Sequence, residues 1–180
     1  MLDKKKIFIL SSIIVMIISC ILIEKNLINK FLYPRAYKTF VSKYSEEFNI
    51  DENLVYSIMK AESKFLRNAK SHKGAKGLMQ ISDITRDWAI EELELGEVDI
   101  FDPETNIKIS CWYINKLFRE FGELELVITS YNAGSGNVSK WLKNKDYSLD
   151  GESLYYIPFE ETDNYLRKVL NNYRHYNYIY

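Results

Sequence analysis

Apolar residues recur along most of this chain with a period near 3.6, the spacing that predicts amphipathic helices rather than strands. Tyr37, Phe40, Val41, Tyr44 and Phe48 share one face and predict a helix over 35–48. Asp51 stands where an N-cap belongs, ahead of a second helix over 52–63. Gly74 and Gly77 interrupt the chain, and Ser82 or Asp83 opens a third helix reaching to about Leu95. Asp102-Pro103-Glu104 is a strong helix start, with proline in the first turn and acids at the positive end. Ile107, Cys111, Ile114, Phe118 and Phe121 then form one stripe that Gly122 ends. A short helix to about Asn132, glycines at 134 and 136, and a helix carrying Trp141 follow. Pro158 precedes a last helix on which Tyr165, Leu166, Val169, Tyr173 and Tyr176 share a face. Strand signals are almost absent, so the expected fold class is mainly α.

The N-terminus breaks this amphipathic pattern. Lys4, Lys5 and Lys6 precede an uncharged, apolar run from Ile7 to Ile23, which Glu24, Lys25 and Asn26 close. Seventeen residues at about 1.5 Å rise lie at the short end of what spans a bilayer core. The lysines favour a cytoplasmic N-terminus and place the rest of the chain outside the cytoplasm. The expected organisation is a cytoplasmic N-terminus over 1–6, a transmembrane signal anchor over 7–23, a juxtamembrane linker over 24–34 and one domain over 35–180. Two alternatives stand beside the anchor. Ile17-Ile18-Ser19-Cys20 is similar to a lipoprotein signal, and a cleaved secretory peptide is the other.

Composition narrows the classes. Apolar residues make up 47% and charged residues 27% of the 180, enough apolar surface for a packed core. A formal net charge of −1 argues against a nucleic-acid partner, which calls for a basic face. The 14 tyrosines suit a core or the wall of a sugar-binding groove. Cys20 and Cys111 are too few for a disulfide framework, and no metal-ligand spacing, phosphate loop or Ser/His/Asp set is in view, so neither a metal nor a cofactor is expected.

One residue carries candidate chemistry. Val55, Ile58 and Glu62 fall at i, i+3 and i+7, so Glu62 continues an apolar helix face. Burial there disfavours the charged carboxylate, and the negative end of the helix dipole acts in the same direction. Such a carboxyl stays protonated near neutrality and can deliver a proton to a leaving oxygen. The plain alternative is a helix-end glutamate turned to solvent or paired with Lys64 or Arg67.

Four segments add weight to the first reading: Glu62-Ser63, SHKGAKGLMQI over 71–81, SYNAG over 130–134 and IPFEETDNYLRKVL over 157–170. In this order they resemble the motif series of the soluble-type (SLT domain) lytic transglycosylases, a family with the goose-type lysozyme-like fold. The resemblance covers roughly residues 36–176. It implies cleavage of the β-1,4 bond between N-acetylmuramic acid and N-acetylglucosamine in peptidoglycan, leaving a 1,6-anhydro end and consuming no water. It also implies Glu62 as the catalytic acid and Ser63, Ser71, Gln80, Tyr131, Asn132 and Glu161 as substrate-binding residues. The expected partners are peptidoglycan glycan strands and, through the N-terminal helix, the bacterial cell membrane, with a monomeric domain on its extracytoplasmic side. Two positions depart from the family. Ser130 replaces the usual alanine before the tyrosine, and Asp163 stands where arginine is common.

Two other classes remain open at this stage. A hydrolytic muramidase of the same fold needs a further groove carboxylate, for which Glu160, Glu161, Asp83 and Asp87 are candidates. A non-catalytic wall-binding protein would keep the groove without turnover. His72, His175 and the three tryptophans Trp88, Trp112 and Trp141 read more simply as loop, surface and core residues.

Overall fold

The apolar stripes close on one another to give a single helical body, and a computed structural model describes it for residues 12–19 and 27–180. Among the described residues from Lys38 onward, seven helices follow the predicted punctuation: α1 Lys38–Phe48, α2 Glu52–Glu62, α3 Asp83–Glu92, α4 Pro103–Phe121, α5 Leu124–Ala133, α6 Ser135–Leu142 and α7 Glu160–Ile179. The caps are those the sequence offers. Asp51, Ser82 and Asp102 each accept a backbone N–H of their own helix, from Asn53, Thr85 and Thr105. Two boundaries differ from the periodic pattern. The first helix starts at Lys38 because Tyr37 is left-handed at φ 58°, and α3 stops at Glu92 because Glu94 is left-handed at φ 50°.

Extended structure among the described residues is confined to isolated bridges between Lys70 and Lys76 and between Lys76 and Ile81. The main core joins α1, α2, α4, α5 and α7 around Tyr56, Ile58, Met59, Ile107, Ile114 and Ile128. A smaller cluster of Leu126, Val138 and Trp141 seats α6. The helix α2 lies at the centre and is nearly all buried, so its C-terminal end opens inside the body rather than on its surface.

The predicted membrane anchor over 7–23 falls partly outside the described residues. Residues 12–19 are helical with exposed side chains, and among the described residues no helix is long and apolar enough to cross a membrane. Cys20 lies outside the described residues; Cys111 is buried and free. Of the expected linker, residues 27–32 are helical, and the stretch after them is strapped to the body. Lys60 donates to the Leu32 carbonyl (2.6 Å), Tyr180 to that of Tyr33 (3.0 Å) and Tyr176 to that of Pro34 (2.9 Å).

Candidate active site

Glu62 ends α2, one turn beyond Ile58 and Met59, whose side chains are sealed in the core. Its half-buried carboxyl lines a cleft of about 310 Å³ whose walls come from three further parts of the chain. These are the 71–85 segment, the end of α5 at Tyr131–Gly134, and Glu161 in the first turn of α7; Tyr113 of α4 closes the remaining side. Burial pushes the Glu62 carboxyl from its ordinary 4.5 up to about 7, and the negative charge of Glu161 adds to the rise. The Tyr165 hydroxyl and the Lys168 ammonium offset part of it. Lys168 is spent on the Ala61 carbonyl at 2.5 Å, and no ion pair joins Glu62 to Lys64 or Arg67 among the described residues. The acid is therefore proton-bearing near neutrality and faces a sugar-sized space.

The wall over 71–81 is a tightly held loop. Gly77 has φ +80°, and a Cβ there would lie 2.2 Å from the Asn106 amide nitrogen and 3.0 Å from the Ile100 carbonyl oxygen, so only glycine fits. Asn106, fully buried on α4, accepts the Met79 N–H (2.8 Å) and donates to the carbonyls of Lys76 (3.1 Å) and Ile100 (2.9 Å). Leu78 and Met79 are core, as expected of apolar residues in such a turn. Gln80 is left-handed at φ 51°, a conformation costly for a non-glycine residue and held here by paired backbone bonds between Lys76 and Ile81. Its amide donates to the carbonyls of Ala69 (3.1 Å) and Gly77 (2.9 Å) while its flank lines the cleft.

The site residues expected from the sequence divide in two. Glu62, Ser71, Gln80, Tyr131, Asn132 and Glu161 all line this one cleft, although they come from four separate stretches. The Ser71 hydroxyl accepts the Ala75 N–H (3.0 Å), and the Asn132 side-chain amide oxygen accepts the Thr162 hydroxyl (2.8 Å), tying α5 to α7. The Tyr131 hydroxyl donates to the Met79 carbonyl (2.9 Å), which makes it a brace between α5 and the loop. Ser63 is the exception: it is buried, its hydroxyl turns back to the Met59 carbonyl (3.3 Å), and it does not line the cleft.

Sequence reasoning missed three contributors. Tyr165 reads as one more core residue of the α7 stripe, yet its hydroxyl is buried without a hydrogen bond of good geometry and acts on Glu62. Lys168 and Asn106 carried no local signal, because their importance lies in what tertiary packing sets opposite them. Of the carboxylates considered as a second catalytic group, only Glu161 reaches the cleft. It is exposed at the rim and ion-paired with Lys73 at 2.6 Å, which with its hydrogen bond holds its carboxyl below the usual value. Asp83 pairs with Lys76 and Arg86, and Asp87 with Arg86. His72 lines the cleft from the loop, while His175 stacks on Tyr33 far from it. Trp112 and Trp141 are buried as expected, whereas Trp88 keeps 41% of its surface exposed. No group of residues suited to a metal ion occurs among the described residues.

A helical body whose central helix delivers one shielded carboxylic acid to a cleft defines a lysozyme-like domain. Comparison with known proteins sharpens that class. The family model described as "Transglycosylase SLT domain" matches residues 39–153, and the chain belongs to this family. The soluble lytic murein transglycosylase of Escherichia coli (strain K12) is 32% identical over 153 residues, covering 82% of this chain and 24% of that protein. The membrane-bound lytic murein transglycosylase C of Sodalis glossinidius is 30% identical over 179 residues, covering 83% of this chain and 50% of that one. Among solved structures, the 70 kDa soluble lytic transglycosylase of Escherichia coli superposes with a TM-score of 0.73 at 31% identity, over 83% of this chain and 25% of that chain. The chain thus spans about a quarter of the length of the soluble relatives. The matched family span ends at residue 153, ahead of α7, which supplies Glu161 and Tyr165.

Proposed function

We propose that this chain is a membrane-anchored lytic transglycosylase that cleaves the β-1,4 bond between N-acetylmuramic acid and N-acetylglucosamine in peptidoglycan, leaving a 1,6-anhydro end. The observation that carries the reading is a single carboxylic acid, raised to about 7 by burial, at the floor of a cleft whose other carboxylate is neutralised by a lysine. A glycosidase with two central carboxyl groups uses one as acid and the other as nucleophile or base. Here one acid serves twice. Glu62 protonates the bridging oxygen, the glycosidic bond breaks, and the N-acetyl oxygen of the muramic unit stabilises the electron-poor carbon. The sugar's own 6-hydroxyl then attacks that carbon, and its proton passes to the now ionised Glu62, restoring the acid. Intramolecular attack carries an effective molarity on the order of 10⁵ M or more, which explains how it outruns water.

Ser71, Gln80, Tyr131, Asn132 and Glu161 support the same reading by lining the cleft on both sides of Glu62. Their roles toward substrate are to orient the sugar and limit water. The N-terminal lysines and the apolar run support a single-pass chain in a bacterial cell membrane, with this domain, a monomer, outside the cytoplasm.

Mass spectrometry of sacculi digested with the full chain tests the chemistry. Anhydro-muramic ends are expected; reducing ends would show the hydrolytic muramidase instead, with Glu161 as its second carboxylate. Glu62→Gln is expected to lose turnover by a factor of about 10²–10⁴. A variant as active as the parent would overturn the assignment of Glu62.

A further inference from the structure

A surface patch outside the cleft lining has a character that catalysis does not use. Leu27, Ile28, Phe31 and Leu32 on the 27–32 helix are exposed, Phe31 to 84%, and the last turn of α7 adds Tyr178 at 75% and Tyr180. Lys30 and Arg174 are exposed beside them. Apolar and aromatic side chains interleaved with bases form the pattern that settles at the boundary between lipid headgroups and acyl chains.

The segment that follows the 27–32 helix is strapped to the catalytic body. Three successive carbonyls, those of Leu32, Tyr33 and Pro34, are held by Lys60 of α2 and by Tyr180 and Tyr176 of α7. Tyr33 stacks on His175 at 4.8 Å, Lys60 lies over the same tyrosine ring at 4.4 Å, and Arg35 lies over Tyr180 at 4.2 Å. At the same pole Arg35 pairs with Glu52 at 3.9 Å, and Asn53 donates to Asn177 at 2.6 Å. A chain segment held by this many contacts cannot swing as a loose tether.

We infer that this pole, formed by the 27–32 helix and the C-terminal turn of α7, is a docking surface for the lipid bilayer that holds the cleft facing away from the membrane. The inference rests on the anchoring proposed above, and chain length selects the occupant. Residues 24–26 separate the apolar run from Leu27, so the patch stands within about 14 Å of the end of an inserted span even at full stretch. The long helix α7 runs from this patch to the cleft: at about 1.5 Å per residue, Glu161 lies some 28 Å along it from Tyr180. The shorter α2 meets the segment at Asn53, through Arg35, and again at Lys60, so only α7 sets the spacing. An enzyme so held works on strands at a set height above the membrane rather than sweeping the whole wall.

The test uses the full chain in nanodiscs of phosphatidylglycerol and phosphatidylcholine, with a Tyr178→Trp or Phe31→Trp reporter. The introduced indole is expected to lose emission to lipids brominated near the headgroup and not to lipids brominated at the chain end. Tyr156→Trp, on the segment leading into the cleft end of α7, is expected to be untouched by either. Absence of quenching at both residues 178 and 31 would overturn the docking surface. So would a blue shift that requires two protein copies per disc, since the patch would then be an interface between copies. Alkaline carbonate extraction separates the two proposals. Release from the membrane would refute the anchor itself, whereas retention without quenching would refute only the docking.

Discussion

At the scale of the residue, the proposed mechanism makes one carboxyl group the source of the pH behaviour. Glu62 must carry a proton to donate one, and burial holds it protonated until about pH 7. The basic limb of the kcat/KM profile is therefore expected near 7, well above the ordinary glutamate value, and a limb near 4.5 would show a solvated acid. Two positions where the chain departs from its family also have local consequences. Asp163 accepts from Arg167 at 3.0 Å, so a cation is still present one turn along α7. The Ser130 hydroxyl is buried with no hydrogen-bond partner, which makes the serine a cost rather than a neutral replacement. Ser130→Ala is expected to raise stability by about 1 kcal/mol, read from the denaturant midpoint at unchanged m.

Elements matter here through the seams between them. Asn106 ties α4 to the 76–79 turn as both donor and acceptor, and it occupies the volume that any side chain at Gly77 would need. Asn106→Asp keeps the acceptor for Met79 and leaves the carbonyls of Lys76 and Ile100 without their donor. A loss of about 2–3 kcal/mol is expected in chemical denaturation, together with a higher KM as the Gln80 wall loosens. Residue 106 belongs to an ordinary α4 face in the sequence, so this seam could not be read there. The bridge between Lys73 and Glu161 joins the loop to α7 across the mouth of the cleft at 2.6 Å, with both groups exposed. Such a pair contributes little to stability, about 0–1 kcal/mol, but Glu161 raises the Glu62 pKa. Glu161→Gln is expected to shift the basic limb of the pH–rate profile downward, and Lys73→Ala to shift it upward by leaving Glu161 unneutralised. No movement in either variant would separate the rim electrostatically from the acid.

On the scale of the whole molecule, α2 and α7 each present a carboxyl group to the cleft and, through Lys60, Tyr176 and the C-terminal Tyr180, hold the segment that leads in from the N-terminus. Function at the cleft end carries a stability cost whose sign follows from linkage. The folded state binds a proton at Glu62 more tightly than the unfolded chain does, because its pKa is raised from 4.5 to about 7. Between these values the native state holds more protons than the unfolded state, so the contribution of Glu62 to stability falls as pH rises through this window. It levels off above about 7. Glu62→Gln removes the titration, and its stability relative to the parent is expected to grow from pH 4.5 to 7 and then stay constant. Parallel thermal melts across this range check the sign; a constant difference would mean that Glu62 is not desolvated in the folded protein.

The sequence alone determined the helices, because a 3.6 period, capping residues and helix-stopping glycines are local properties of the chain. It also determined which glutamate lies on an apolar face, and its motif order pointed to a family that the comparisons then established. Tertiary structure alone decided that Ser63 turns back into its own helix, that Tyr165 and Lys168 act on the acid, and that Asn106 and Tyr131 brace the wall opposite. The reason is physical. A periodic pattern states which face of a helix is buried, whereas a pKa and a cleft depend on what every other helix brings to that face.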